Sequence, residues 1–174
     1  MKTVALTIGP RGAGKSTYCR AYLAAHPEAA LVSRDEILLE LFGEASIDPY
    51  TDSRGIVLRE IWRRVKKCFE EGYQLVILDC WNGWSNEREY LTKHLREGCG
   101  VEVVVAWRFI TSEDWCLRWF LEKDNILRSY DGNREYAIRV QRRDFLLYND
   151  QPVELDQGFN SIRFIDPLQQ VLFW

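Results

Sequence analysis

The stretch Gly9-Pro10-Arg11-Gly12-Ala13-Gly14-Lys15-Ser16 constrains this chain more than any other. It satisfies the pattern G-x-x-x-x-G-K-[ST] in full, after an apolar run, Val4 to Ile8, that reads as a strand and before a helical pattern that opens at Lys15. Gly12 and Gly14 have no Cβ, so the backbone can adopt φ > 0 there and turn its N–H groups toward an anion. A helix starting near Lys15 adds its own free N–H groups and the positive end of its dipole. The expected roles follow. Gly12, Ala13, Gly14, Lys15, Ser16 and Thr17 surround the phosphates of a nucleoside triphosphate, Lys15 reaches the β- and γ-phosphates, and Ser16 offers its hydroxyl to Mg²⁺. A glycine-rich surface turn is the bland alternative, and the strand and helix in register with the complete motif weigh against it.

The rest of the chain alternates in the same manner. Lys15 to Ala25 reads as a helix that turns Tyr18, Tyr22 and Cys19 or Leu23 to a sheet, and Pro27 stops it. Ala29 to Ser33 is a short strand delivering Arg34 and Asp35, and Glu36 to Phe42 a short helix. The acidic, turn-rich segment 43–53 is either a flap over an acceptor or a solvated connection. Arg54 to Glu71 is the clearest helix, with Val57, Leu58, Ile61, Trp62, Val65 and Phe69 in one apolar stripe and Gly72 at the position of a left-handed cap. Its basic residues are a solvated surface or a track for an anion. Leu75 to Leu78 is a strand covered on both faces and ends in Asp79, after which Asn86 and Glu89 are expected to cap the next helix reciprocally. Val101 to Trp107 is a fourth strand, which Glu102 places nearer an edge. Ser112 to Glu122 is a helix with Trp115, Leu117, Trp119 and Phe120 inward. Residues 122–134 form a small lid, Tyr136 to Tyr148 a further helix, and Ser161 to Asp166 the last strand. Five strands separated by helices, joined by short right-handed crossovers, give one three-layer α/β domain over 1–174 with a mainly parallel sheet.

Composition removes several other classes. A formal charge of −3 leaves no general basic footprint for duplex binding, although a short basic track over a nucleic-acid end stays open. Cys19, Cys68, Cys80, Cys99 and Cys116 are scattered, odd in number and without a C-x-x-C pair, so they read as reduced and structural, and with only two histidines a zinc site is not expected. There is no run of eighteen apolar residues, and the start of the chain enters the first strand without room for a signal peptide. A cytoplasmic protein without a membrane partner is expected.

Phosphoryl transfer needs an oriented acceptor, a metal-bound nucleotide and positive charge where charge moves. Asp35 is the candidate general base, since a carboxylate beside an alcohol can receive its proton; N-capping the helix from Glu36 is its structural alternative. Asp79, closing a buried strand, can hold Mg²⁺ or fix the acceptor-side loop. Arg118, Lys123, Arg128, Arg134 and Arg139 are spread over the lid and its flanks, and at least one of Arg128 and Arg134 is expected to close over the phosphates. The N-K-x-D and D-x-x-G segments of a switch GTPase are missing.

With these residues in view the chain resembles the P-loop kinases related to bacteriophage and bacterial polynucleotide 5′-hydroxyl kinases, which group with adenylate-kinase-like and zeta-toxin-like phosphotransferases. The resemblance rests on Gly9 to Thr17, Ser33-Arg34-Asp35, Leu78-Asp79-Cys80 with Asn82 and Asn86-Glu87-Arg88, a lid helix near Cys116, and the ending from Ile138 to Asp166. It implies a three-layer P-loop NTPase fold with a small helical lid and transfer of the γ-phosphate of ATP, with Mg²⁺, to a 5′-hydroxyl end of DNA or RNA. It further implies Asp35 as base, Lys15 and Ser16 on phosphate and metal, and Arg34, Asp35, Asp79, Asn82 and Arg88 on the acceptor side. The lid clamp is implied too, with Arg118 or Lys123 compensating for a missing arginine. Two departures stand out. Leu38 occupies the place of the arginine that holds the acceptor phosphate, and Trp119-Phe120 replaces an Arg-Asn pair. A small-molecule alcohol, nucleoside or nucleotide is therefore the alternative acceptor. A non-catalytic ATP-binding module is the alternative outside enzymes.

Overall fold

Near-continuous burial along the central β-type runs assembles a sheet whose two faces carry separate apolar clusters, because successive side chains of a strand point to opposite sides. The computed structural model describes residues 1–43, 53–123, 127 and 130–170. Its five strands are β1 (Thr3–Ile8), β2 (Ala29–Ser33), β3 (Leu75–Asp79), β4 (Val103–Phe109) and β5 (Ser161–Ile165), in the order β2-β3-β1-β4-β5. All four pairings are parallel. On one face Val4, Leu6, Ile8, Val76, Leu78, Val104 and Ala106 pack with α3 (Ser53–Glu70) and α4 (Ser85–Cys99). On the other, Ala5, Ile77, Trp107 and Phe109 pack with Tyr18 and Cys19 of α1 (Lys15–Ala25) and Cys116 of α5 (Glu113–Leu121). The result is a three-layer α/β fold of the P-loop NTPase type. The order reverses beside β1, so the loop leaving β1 opens at the switch point where ligands of open parallel sheets sit.

The remaining helices are α2 (Arg34–Phe42), α6 (Arg134–Asp150) and a terminal turn, α7 (Pro167–Gln170). In α3 the expected stripe is the buried one: Val57, Ile61, Val65 and Phe69 are inside, with Leu58 and Trp62 packed against them. Its basic face is largely neutralised, since Arg63 and Arg64 both bond Glu60 at 2.7 Å and Arg64 also pairs with Glu40. The two guanidiniums hold the Glu60 carboxyl down at about 2. The solvated-surface alternative accounts for these two arginines. Among the described residues no helix is long and apolar enough to cross a membrane. Much of the expected lid falls on residues 124–126, 128 and 129, which lie outside the described residues, as do 44–52 of the expected flap.

Several expectations are corrected. The fourth strand lies nearer an edge as expected, next to the edge strand β5, and begins at Val103, two residues later than expected. Glu102 lies just outside it, where its carboxylate accepts the Lys2 N–H at 3.2 Å. The edges are β2 and β5, and Phe164 on β5 is 62% exposed. The reciprocal cap of α4 does not form: the helix starts at Ser85 after Trp84, with no side-chain cap, and the Ser85 N–H donates across the fold to Gln151 Oε1 at 3.3 Å. The fully buried residues of α5 are Cys116 and Phe120, not the tryptophans.

All five cysteines are free thiols. Burial pushes Cys80 and Cys116 up to about 12 and raises Cys19, Cys99 and Cys68 as well, Cys68 being the one of the five that is not fully buried. Only the thiolate attacks a disulfide reagent. At pH 8 the native protein is therefore expected to react with an aromatic disulfide at the half-buried Cys68 alone, with the other four released in denaturant. A thiol titration followed by mass mapping checks this, and prompt native labelling of Cys116 would contradict the packing of α5.

Candidate active site

The Gly9–Ser16 loop owes its shape to two glycines that no other residue replaces. Gly12 has φ 78° and Gly14 φ 83°, both left-handed. A Cβ on Gly12 would sit 1.9 Å from the carbonyl oxygen of Cys116, and one on Gly14 would sit 3.1 Å from the Trp119 ring. The loop is thus pressed against α5, which makes the anion cradle a property of both sequence and packing. The Lys15 ammonium donates to the carbonyls of Gly9 at 2.7 Å and Pro10 at 3.0 Å, curled over the loop it belongs to.

Asp79 is the meeting point of two hydroxyls. Thr7, the last but one residue of β1, donates to its Oδ1 at 2.7 Å, and Ser16 donates to its Oδ2 at 3.2 Å. The register that aligns Leu6 with Leu78 brings the ends of β1 and β3 together and makes this contact possible. Thr7 was not among the expected site residues. Its signal was a lone hydroxyl within an apolar strand one residue before the loop.

Asp35 stands one strand further out. Ser33 pairs with Asp79 across β2 and β3, so Asp35 follows the neighbouring strand end, about 4.8 Å per strand from the loop axis. Capping of α2 falls to Ser33, whose hydroxyl accepts the Glu36 N–H at 3.4 Å. Asp35 lies in the first turn, with its side chain 72% exposed and paired to Arg34 at 3.5 Å. The capping alternative for Asp35 is therefore displaced, and its carboxylate is left facing solvent at the ligand edge of the sheet.

Positive charge arrives from Lys123. The helix α5 ends at Leu121, two residues before Lys123, and its Cys116 and Phe120 already cover Gly12. Desolvation lowers the pKa of Lys123, repulsion from Lys15 and Arg11 lowers it further, and Asp35 and Asp79 pull it back up. Desolvation is the largest of these influences, and the charged groups that act on Lys123 are Lys15, Asp35, Asp79 and Arg11. Arg118 points elsewhere, bonded to Glu122 at 2.8 Å and lying over the Trp115 ring. Arg134 is exposed at the start of α6, and Arg128 lies outside the described residues.

Two expected acceptor-side residues are structural. Arg88 is fully buried, and its five N–H groups go to Gln157 Oε1 and to the carbonyls of Asn82, Gly83, Gln151 and Pro152. No donor remains for a substrate. Asn82 is also fully buried and donates its amide to the carbonyls of Thr7 at 2.7 Å and Cys80 at 3.1 Å. Leu38, at the place of the missing arginine, is 1% exposed and belongs to the core, so α2 offers no cation at that position.

The cradle fits a triphosphate, and Ser16 with Asp79 fits a magnesium ion. Among the described residues no three His, Cys, Asp or Glu side chains converge, so such an ion would take most of its coordination from water and phosphate oxygens, as Mg²⁺ commonly does. The fold and the glycine loop together are those of P-loop NTPases. Residues 4–143 match the family described as an AAA domain, and the chain belongs to that family. No curated protein matches it. Among solved structures it is similar to a fungal RNA kinase, with TM-score 0.65 and 15% identity over 94% of this chain and 75% of that one. A Chloroflexus aurantiacus protein crystallised as a candidate kinase gives TM-score 0.66 and 16% identity over 97% and 91%. A chain of the Pnkp1/Rnl/Hen1 complex gives TM-score 0.56 and 19% identity over 67% of this chain, which spans only 38% of the length of that larger one.

Proposed function

We propose that this protein is an Mg²⁺- and ATP-dependent kinase that phosphorylates the 5′-hydroxyl end of a nucleic acid, with Asp35 as general base. The observation that carries the reading is the release of Asp35 from capping. Ser33 takes that duty, and an exposed carboxylate stands at the ligand edge of the sheet, one strand out from Asp79. Bound magnesium ATP would supply the γ-phosphoryl group and ADP as the leaving group. The chain's own residues do the rest. The amides of Gly12 to Ser16 and the Lys15 ammonium hold the phosphates, and Ser16 with Asp79 holds the ion. Asp35 accepts the proton of the incoming hydroxyl as its oxygen bonds to phosphorus. Lys123, with Lys15, offsets negative charge on the transferred group. We assign the residues around Lys123 to a small lid on a single domain. The nucleic-acid acceptor is supported by the similarity to an RNA kinase and by the motif resemblance through Asp35.

A second reading is favoured by one observation. Leu38 is core, so the position that would grip a phosphate next to the accepting hydroxyl has no charge. That suits an acceptor carrying no such phosphate, such as a small alcohol or nucleoside. Purified protein incubated with γ-labelled ATP and a panel of 5′-hydroxyl DNA, RNA, nucleosides and small alcohols separates the two. Label is expected on oligonucleotide ends. Label confined to low-mass acceptors would overturn the nucleic-acid choice and leave the kinase reading intact, and tight ATP binding without label anywhere would overturn both.

A further inference from the structure

The buried stripe of α6 contains two polar residues, and both face the glycine loop. Ala137, Val140, Gln141, Asp144 and Tyr148 recur at three- and four-residue spacing and are the buried positions of this helix. A carboxylate and an amide on such a stripe are costly unless their hydrogen bonds are met. Here both turn to one residue of the loop, although the Gln141 amide oxygen is left buried without a partner. Asp144 Oδ2 accepts the backbone N–H of Arg11 at 3.0 Å and lies 3.7 Å from its guanidinium Nε. One helical turn earlier, Gln141 donates to the Arg11 carbonyl at 3.3 Å. The peptide groups on both sides of Arg11 are therefore clasped by a single helix. The clasp extends outward: the Arg11 guanidinium donates to the Tyr130 hydroxyl at 2.6 Å, and the other Asp144 oxygen accepts from the Trp81 indole at 3.5 Å. Tyr130 precedes α6 and Trp81 follows β3, so one carboxylate ties together the loop, the lid side and the segment beyond Asp79.

We propose that Asp144 and Gln141 are positioning residues for nucleotide binding: by clasping Arg11 on both sides they hold the Gly12–Ser16 amides in the shape that grips a triphosphate. They act through Arg11 and do not touch the nucleotide. Preorganised amides cost nothing to orient when the anion arrives, and a loop freed of the clasp must be ordered at the expense of affinity. The proposal rests on the reading of the Gly9–Ser16 loop as the ATP site.

Calorimetric titration of the full chain with magnesium ATP, and initial rates on whichever acceptor the labelling panel identifies, test it. Asp144→Ala is expected to raise both the Kd and the KM for ATP tenfold or more, with kcat and the acceptor KM changing less than threefold. Asp144→Asn keeps an oxygen for the Arg11 N–H and is expected to recover most of the ATP affinity. Gln141→Leu keeps the stripe apolar, removes the carbonyl contact and is expected to weaken ATP severalfold, which preserves the test if Asp144→Ala does not fold. A purely structural role would lower the thermal midpoint and the active fraction while the folded molecules bound ATP as before. Wild-type affinity in folded Asp144→Ala or Gln141→Leu, or a loss in kcat with KM unchanged, overturns the clasp while the site reading stands. A wild-type protein that binds no magnesium ATP overturns the site reading and the clasp with it.

Discussion

Asp35→Asn is expected to slow phosphoryl transfer by about 10²–10⁴-fold, the range over which a positioned general base contributes, while magnesium ATP still binds. Asparagine keeps the size of the side chain and a carbonyl oxygen for orienting the acceptor, but it cannot take up the hydroxyl proton. The structure predicts that the loss appears in kcat rather than in folding. Asp35 is exposed, its salt bridge to Arg34 lies at the surface, and the N-cap of α2 belongs to Ser33. Its remaining structural role is a favourable charge in the first turn of α2, worth about 0.3–1 kcal/mol. Single-turnover transfer measured beside calorimetric ATP affinity and a melting curve distinguishes the cases. Transfer within about threefold of wild type would remove Asp35 from the chemistry, because a base worth less than the lower end of that range is not acting as one. A variant that lost ATP affinity in proportion to rate would instead mark Asp35 as part of the nucleotide site.

The parts of this site that were legible in the sequence are those fixed locally. The glycine loop, its strand and its helix occupy one continuous stretch, and the left-handed glycines are forced by backbone geometry that the residue types announce. The apolar period of α3 was equally direct, since its buried stripe is set by spacing alone. What escaped depends on contacts between distant segments. Strand order could not be read, and Glu102, taken as part of the fourth strand, lies just outside it, where its carboxylate serves Lys2 across a hundred residues. Arg88 and Asn82 looked like acceptor ligands because polar residues after a strand end usually face the cleft, whereas here they hold the 151–157 segment and β1. The lid cation was sought first in Arg128 and Arg134, with Arg118 or Lys123 as compensating groups, and of these Lys123 is the one that feels the charges of Lys15, Asp35 and Asp79. Asp144 and Gln141 did have a signal. They interrupt the inward stripe of α6 at the spacing where only apolar residues are cheap.

Arg88→Met should cause the largest loss of stability of any single change considered, about 3 kcal/mol or more, because it strips donors from five buried acceptors at once. The side chain is a hub: its Nε bonds Gln157, one terminal nitrogen bonds Asn82 and Gly83, and the other bonds Gln151 and Pro152. Burial pulls its pKa below the usual arginine value, so the charge resides there at a cost that the surrounding carbonyl dipoles offset. Methionine fills similar space and leaves those dipoles facing one another. For a chain of this size each kcal/mol moves the melting temperature by about 2–4 °C, so a fall of about 6 °C or more is expected. Arg88→Lys, with three donors in place of five, should fall between the two. The consequences reach the site, since the Asn82 carbonyl that Arg88 anchors belongs to the residue whose side-chain amide braces the Thr7 carbonyl, next to the Thr7 hydroxyl that fixes Asp79. Urea unfolding of the three proteins measures the loss. A midpoint for Arg88→Met equal to wild type would mean that water or neighbouring amides replace all five bonds, and that Arg88 is available for a role in substrate binding after all.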